Sequence, residues 1–589
     1  MKTYGLCHKL IGIRNAGEGI NRIGLLVLML TLTAGMTPAE AGIQSMTVSP
    51  DGQRIMINGQ ATFLRGFREG YVGGDWNSVY WNHQQLPEGH PVSPNAPQVD
   101  YDAYVAGMKS RGFNYVRLCG IQMQAGSGRV HGTNERNDAY NYPPAAPYTC
   151  RPWARTGGGK AWDGLQKYDL NQFDSWYFSH LDEFVRKCNE NMIVVEFCFF
   201  HQHNLYQIFT HYADNPLRPY NNANNTGLPN GFGQTGYPQY YDLTNATVKA
   251  IQEAYVTKVL DTVSQYPGVV YRVADEYNWH ASWIENFATL IADYGTAHGR
   301  QLIVQAGGSL SIMDDLGPGV HSIDCTFFGL RSPSDICDPP ALVNQRLAGY
   351  CAPPYGTYDA VYTTFRYLND RYDKVLVKDR TNRDEWWSGF VAGGGGMFYH
   401  GAFYSGENSE GSSGIKDLLP HLVDYDGDLP SDSVISGSSG WAKAIASPGV
   451  EYVAYLKTGG WVDLDLTGTS GTFNTRWYSP RTRQFTNQGT TSGGAVRRLT
   501  APNGDDWVVH VYDPSMQPTP TPTPTIGRKG DLEPDGDVDL FDVLRVVDIL
   551  LGRPPDPSTH EQWAGDMDGD GDIDLFDALD LIDVMLERG

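Results

Sequence analysis

The sequence predicts an α/β fold, a (β/α)8 barrel, followed by a small all-β sandwich and a short helical tail. Residues 269–279 read VVYRVADEYNW, a short apolar run that stops at the acid pair Asp275-Glu276. Such a run marks a buried strand of a parallel sheet. Runs of this kind alternate with helical patterns over roughly 350 residues, the order and size of a TIM barrel. Beyond residue 429 the helical pattern stops, and short alternating strands separated by Gly, Ser, Thr and Asn replace it, as in a sandwich.

The barrel strands follow in order. Residues 47–67 alternate strand and turn and close in FLRGF. The loop 70–82 gathers Trp76, Tyr80 and Trp81, aromatic faces that either stack on sugar rings or fill a core. A helix over 101–111 leads to a strand at 112–120 that carries Arg117. The insertion 122–160 is too long for a plain connection and is expected to shape a cleft. A helix over 177–189 precedes the strand 192–203, with Glu196 inside it and His201 and His203 at its end; a second long loop, 214–241, follows. Then come helix 248–264, the strand ending at Asp275, helix 282–298, strands 301–305 and 321–328, helix 358–372, strand 374–378, helix 384–391 and a last strand within 392–401. In such barrels chemistry sits at the C-terminal strand ends, so Asp275 and Glu276 stand where a catalyst would. A structural acid capping the next helix is the other reading.

The chain has 589 residues, enough for about three to four domains. A net charge of −23 argues against nucleic acid as a partner. About 13 of those negative charges fall in residues 528–589. At the start, Lys2, Lys9, Arg14 and Arg22 precede an apolar run over 23–35 and then Ala39-Glu40-Ala41. That is a secretory signal peptide over 1–41, with an uncleaved anchor as the alternative. Its apolar run is short for a bilayer span. Of eight cysteines, Cys7 lies in the signal, and the remaining odd number leaves at least one unpaired. Cys119, Cys198 and Cys325 lie in apolar runs and are expected to be buried, whereas Cys150, Cys337 and Cys351 lie in loops where an oxidising compartment permits a disulfide of open pairing.

Residues 167–200, 252–278, 301–306 and 383–396 together resemble the barrel glycosidases of the broad clan around glycoside hydrolase family five, and the likeness covers most of 47–425. The resemblance implies a retaining glycosidase with an acid/base Glu after strand four and a nucleophile after strand seven. Glu276 matches the acid/base. Asp275 stands where the clan has Asn, and an Asp can still accept a bond from a sugar 2-hydroxyl. Strand seven has no Glu at its end, so its nearest carboxylate, Asp379, is the nucleophile candidate; a loop acid paired with Arg380 or Arg383 is the alternative. Asp384 and Glu385 lie just beyond, at a helix start that favours acids. Two carboxylates about 5–5.5 Å apart suit a retaining mechanism. Their environments must separate the two pKa values. Arg117 matches an arginine that keeps the nucleophile ionised. His201, His203, Tyr277, Trp76 and Trp81 are substrate-contact candidates. The histidine pair lacks a third ligand at metal spacing, so no catalytic cofactor is expected. Rival readings are a barrel that has lost its nucleophile and only binds glycan, and a scaffold component whose sandwich adheres to a polymer.

Past the stiff linker PTPTPTPT at 518–525, two twelve-residue loops repeat 35 positions apart, DLEPDGDVDLFD and DMDGDGDIDLFD. Oxygen ligands are offered by Asp531, Glu533, Asp535, Asp537, Asp539 and Asp542, and again by Asp566, Asp568, Asp570, Asp572, Asp574 and Asp577. Gly536 and Gly571 stand at the sixth position, where a Ca²⁺ loop turns sharply, and the seventh gives a backbone carbonyl. Two calcium ions are expected. No helix precedes Asp531, and the twelfth position is Asp; loop then helix, twice, resembles a type I dockerin. That implies a cohesin partner on a scaffold or cell surface, with Leu540-Phe541 and Leu575-Phe576 as equivalent contact pairs and two docking orientations. The expected domains are the signal 1–41, the barrel 42–428, the sandwich 429–514, the linker 515–529 and the dockerin 530–589. The chain is expected to be secreted and to meet a polysaccharide, with no nucleic acid or membrane partner after signal cleavage.

Overall fold

A computed structural model describes residues 42–68, 101–121, 151–161, 166–201, 215–230, 237–275, 277, 280–307, 314–324, 358–379, 383–400, 406–516, 529–530, 532, 538, 540–551, 559–567 and 572–586. The signal region and Cys150, Cys325, Cys337 and Cys351 lie outside them. Among the described residues no helix is long and apolar enough to cross a membrane.

Ala41–Met516 forms one compact unit. Its first part is a closed barrel of eight parallel strands: β1 Leu64–Arg68, β2 Tyr115–Cys119, β3 Val194–His201, β4 Val269–Asp275, β5 Ile303–Gly307, β6 Ser322–Asp324, β7 Val375–Asp379 and β8 Gly396–His400. Each strand pairs with the next, and β8 closes onto β1. Helices α1 Tyr101–Ser110, α2 Ser175–Glu190, α3 Ala246–Val263, α4 Ala281–Ala297, α5 Tyr358–Asn369, α6 Arg383–Val391 and α7 Gly406–Leu418 come between or after the strands. The Asp174 and Asn245 side chains start α2 and α3 by accepting from Tyr177 N–H at 2.9 Å and Val248 N–H at 3.1 Å. The expected β6 run 321–328 is described only as far as Asp324.

The first residues of the strands close the base of the barrel. Leu64, Tyr115, Val194, Val270, Ile303 and Val375 form one buried apolar cluster with Ile43, Met46, Ile55 and Ile57. The last four belong to the N-terminal segment, whose three-stranded antiparallel sheet (Met46–Val48, Ile55–Ile57, Gln60–Thr62) plugs the bottom. Each such side chain contributes about 1.5–3 kcal/mol when fully buried. Gly66 is required here, because a Cβ would fall 1.9 Å from the Tyr115 carbonyl oxygen. Cys198 is buried, as its strand position predicts, and so is Cys188 on α2.

The sandwich follows as β9 Leu429–Pro430, β10 Ile435–Ser438, β11 Ala442–Ser447, β12 Glu451–Leu456, β13 Trp461–Asp465, β14 Thr472–Ser479, β15 Gln484–Ser492, β16 Val496–Thr500 and β17 Trp507–Tyr512. One sheet has the order β9-β11-β12-β17-β14-β15 and the other β10-β13-β16. Val462 and Leu464 of β13 point into the sandwich core, while Trp461, Asp463 and Asp465 alternate on its outer face. Asp463 there accepts two bonds from Arg498, each 2.7 Å.

The larger sheet is covered on both faces. Ile445, Val453, Tyr455, Tyr478 and Val508 belong to the same core cluster as the barrel helices. Trp387 of α6 stacks on Tyr455 with centroids 5.7 Å apart, and the Tyr478 hydroxyl donates to Gly414 O on α7 at 3.0 Å. Asp384, expected as a helix-start acid, pairs with Lys457, and Arg383 with Asp506 at 3.1 Å. A chain ending at Gly427 would leave Trp387, buried to 0% exposure, facing water. Such a chain is expected to be insoluble or unfolded; a soluble, fully active product would show instead that the barrel stands alone.

The second unit contains α8 Leu540–Leu550, α9 Thr559–Gly565 and α10 Leu575–Leu586. Leu532, Val538, Val543, Val546, Val547, Ala564, Ala578, Leu581 and Ile582 form its core. On α10 the inward positions are Ala578, Leu581 and Ile582, and Leu579 is half-buried.

Candidate active site and metal loops

Above the apolar base the barrel interior turns ionic. Register places Arg117, Glu196, Arg272, Gln305, Ser322 and Asp324 at the next inward positions. Arg117 Nη2 donates to Asp324 Oδ2 at 2.7 Å and to Glu196 Oε2 at 3.2 Å. Arg272 pairs with Asp324, holds Asp275 Oδ1 at 2.6 Å and donates to Gln305 Oε1 at 2.9 Å. The Gln305 amide reaches Ser322 Oγ at 3.1 Å, and that hydroxyl donates to Val375 O at 2.9 Å. The two arginines and three carboxylates are all 0% exposed. Burial works to lower the Arg272 pKa, but Asp324, Asp275 and Glu196 outweigh it and hold the guanidinium well above its ordinary range. Removing one member of such a buried network costs about 3–5 kcal/mol, because a charge is left uncompensated.

This layer lies beneath the mouth. Asp275 ends β4 and pairs in register with His201 at the end of β3. Asp379 ends β7 and pairs with Phe398. The Arg117 guanidinium lies 4.1 Å from the centre of the Phe398 ring, one ladder step from Asp379.

The sequence-derived candidates fall differently. Asp275 is buried and its Oδ1 is held by Arg272, so it belongs to the ionic layer. Tyr277 is core: its ring stacks on Trp283 at 5.3 Å, and its hydroxyl donates to His280 O at 2.9 Å and accepts from His280 N–H at 3.0 Å. Those bonds occupy the hydroxyl with backbone, which argues against a sugar contact. Arg117 meets Glu196, Asp324 and, at 3.8 Å, Asp275. Asp379 and His201 are described as strand-end backbone only, and Glu276, His203, Trp76 and Trp81 lie outside the described residues. Arg272, Gln305 and Asp324 were not anticipated. Their signal was an ionisable or amide residue inside an otherwise apolar strand, as in VVYRVAD and IVQAG.

In the C-terminal module the two loops close alike. Asp542 Oδ1 accepts from Leu532 N–H at 2.7 Å, and Asp577 Oδ1 accepts from Met567 N–H at 2.6 Å: the twelfth position holding the second, in both copies. Asp577 Oδ2 also accepts from Asp574 N–H at 2.6 Å. The other loop acids described are Asp566 and Asp572; Asp531, Glu533, Asp535, Asp537, Asp539, Asp568 and Asp570 lie outside. Accordingly, among the described residues no group of three or more metal-binding side chains is assembled. The loop side chains are carboxylates and the twelfth residue is buried in both copies, a donor set that suits a hard divalent cation. Leu575 packs partly against the module core, and of Leu540, Phe541 and Phe576 only the helical backbone is described.

Residues 529–586 match the dockerin type I domain. The C-terminal module is a type I dockerin. Residues 429–512 match a family described as "Putative collagen-binding domain of a collagenase", and residues 130–397 match a domain of unknown function, DUF6298. No curated protein matches the chain. A family 5 glycoside hydrolase from Bacteroides vulgatus aligns with a TM-score of 0.50 and 12% identity, over 82% of this chain and 94% of its own. Another solved glycoside hydrolase aligns at 0.49 and 13% identity, over 82% and 99%. In fold, the barrel is glycoside hydrolase family 5-like. The dockerin thus follows a family 5-like barrel and a fused sandwich.

Proposed function

We propose that the chain is a secreted retaining glycoside hydrolase that cleaves O-glycosidic bonds of a plant or microbial polysaccharide and is attached through its dockerin to a cohesin-bearing scaffold. One observation carries the reading. Strands four and seven of a closed barrel end in acidic residues, Asp275 and Asp379, with Glu276 directly after the first. On β4 Val270 and Arg272 are buried inside the barrel, and the same period-two alternation continued along the sequence would bring Glu276 to that face. On β7 Val375 and Val377 are buried inside the barrel, and the same alternation would bring Asp379 to that face. In this reading Glu276 protonates the leaving oxygen, and Asp379 attacks the anomeric carbon from the opposite face. Water then hydrolyses the glycosyl-enzyme, with Glu276 acting as base. The dockerin loops would hold two Ca²⁺ ions, and the metal would supply charge neutralisation for folding, not catalysis.

The test is incubation of the full chain with a polysaccharide panel, with release of reducing ends and the anomeric form of the first product followed by proton NMR. Retention of configuration is expected. Inversion would overturn the nucleophile assignment. Binding to a polymer with no cleavage of any in the panel would favour a barrel that only holds glycan.

A further inference from the structure

The loop between β2 and α2 and the loop between β3 and α3 both leave C-terminal strand ends, so both stand on the mouth side of the barrel. They are stitched together. Tyr168 N–H donates to Asn221 O at 2.9 Å, Ala223 N–H to Tyr168 O at 3.0 Å, and Leu170 N–H to Asn224 Oδ1 at 2.7 Å. The Asn224 amide in turn donates to Asp169 Oδ1 at 3.1 Å.

On this joined surface Tyr220 is 48% exposed, the opposite of Tyr277 and the other aromatics that fill the core. Lys167 Nζ lies 5.7 Å from its ring centre and Arg218 Cζ 5.3 Å. Arg218 is buried and its Nε donates to Asn230 O, so it is fixed as a wall of the patch. Lys167 is half-exposed on the short strand Gln166–Lys167, which pairs with Gly157–Lys160 and sets the exposed Lys160 opposite Gln166. Neither lysine has an acidic partner among the described residues.

Among the described residues the local charge is the reverse of the chain's. Within residues 151–170 and 215–230 the described residues include Arg151, Arg155, Lys160, Lys167 and Arg218 and a single acid, Asp169. That carboxylate is already engaged by the Asn171 N–H and the amides of Asn224 and Gln172, which hold its pKa below the usual range. The whole chain, by contrast, has a net charge of −23.

We propose that Tyr220 and Lys167 form a subsite for an acidic sugar, a hexuronate unit of an anionic polysaccharide. The apolar C–H face of the sugar stacks on the exposed ring, and its carboxylate pairs with Lys167. A neutral sugar would leave the Lys167 amine without a counter-charge, while an anion without an apolar face would leave the ring uncovered. The proposal rests on the reading that the barrel acts on a polysaccharide, and it adds the charge class of that polymer.

The test compares binding of the full chain to polygalacturonate and to the same polymer after methyl esterification, which removes the charge and keeps the sugar. Tighter binding to the unesterified form is expected, with the preference shrinking as salt is raised. Tyr220→Ala should weaken binding about tenfold. Lys167→Gln should weaken it about threefold for the charged polymer and leave the esterified one unchanged. Both side chains project from the surface, and an unchanged melting temperature checks that each variant folds. Equal affinity for the two polymers, or charged-polymer affinity unaffected by both substitutions, would overturn the subsite. The hydrolysis reading is judged separately. Charge-selective binding without release of reducing ends keeps the subsite and sinks hydrolysis, whereas cleavage of a neutral polymer with no preference for charge does the reverse.

Discussion

Glu276→Gln is expected to lower kcat on a polysaccharide by about 10²–10⁴-fold while leaving the fold intact. The amide keeps the size of the carboxylate and loses its proton. A leaving sugar hydroxyl is a poor leaving group, so its departure depends on that proton. An activated aryl glycoside departs with less help, so the same variant should lose less in its first step on such a substrate. Asp379→Asn should behave differently, losing turnover on both substrates alike, because without a nucleophile no glycosyl-enzyme forms. Single-turnover and steady-state rates on the two substrate types distinguish these patterns. Unchanged turnover in Glu276→Gln would end that assignment, and unchanged turnover in Asp379→Asn would move the nucleophile elsewhere.

Removal of Ca²⁺ is expected to unfold the dockerin. The two loops crowd carboxylates into a short span, and their repulsion opposes compaction until a divalent ion offsets it. Among the described residues the core available to resist that repulsion is nine buried residues, of which two are alanines. A domain of this size rarely stands on so little. Both twelfth-position carboxylates, Asp542 and Asp577, are buried within that module, which sharpens the dependence. Calorimetry and circular dichroism on residues 517–589 should show Ca²⁺-dependent folding, and an equal helical signal in chelator and in calcium would sink the prediction.

The elements of the barrel were legible because most strands are β-branched or aromatic runs bounded by polar or glycine residues, and two of the helices begin at a capping side chain, Asp174 and Asn245. The sandwich was legible only in part. β15, QFTNQGTTS, has no apolar alternation because it is an edge strand with little to bury. Periodicity identifies buried faces, so it passes over such a strand. At the site, sequence order located Asp275 and Asp379 at strand ends. It gave no means of seeing that Arg272 and Asp324, 52 positions apart, share one buried contact. Nor could it show that the Tyr277 hydroxyl is held by the backbone only three residues on. Partners across a barrel are set by closure and stagger, which a linear pattern does not encode.

The tether to the dockerin leaves the first unit just after β17, and that strand is not at an edge. It sits between β12 and β14, antiparallel to both, with register partners running from Glu451 to Leu456 on one side and from Asn474 to Tyr478 on the other. If the chain is held through its dockerin, as proposed, tension on the tether arrives at Tyr512. A pull along the strand axis loads two hydrogen-bonded ladders in shear, so many bonds must fail together, whereas an edge strand would unzip one pair at a time. The sheet that closes over Trp387 therefore also acts as the mechanical anchor of the tether.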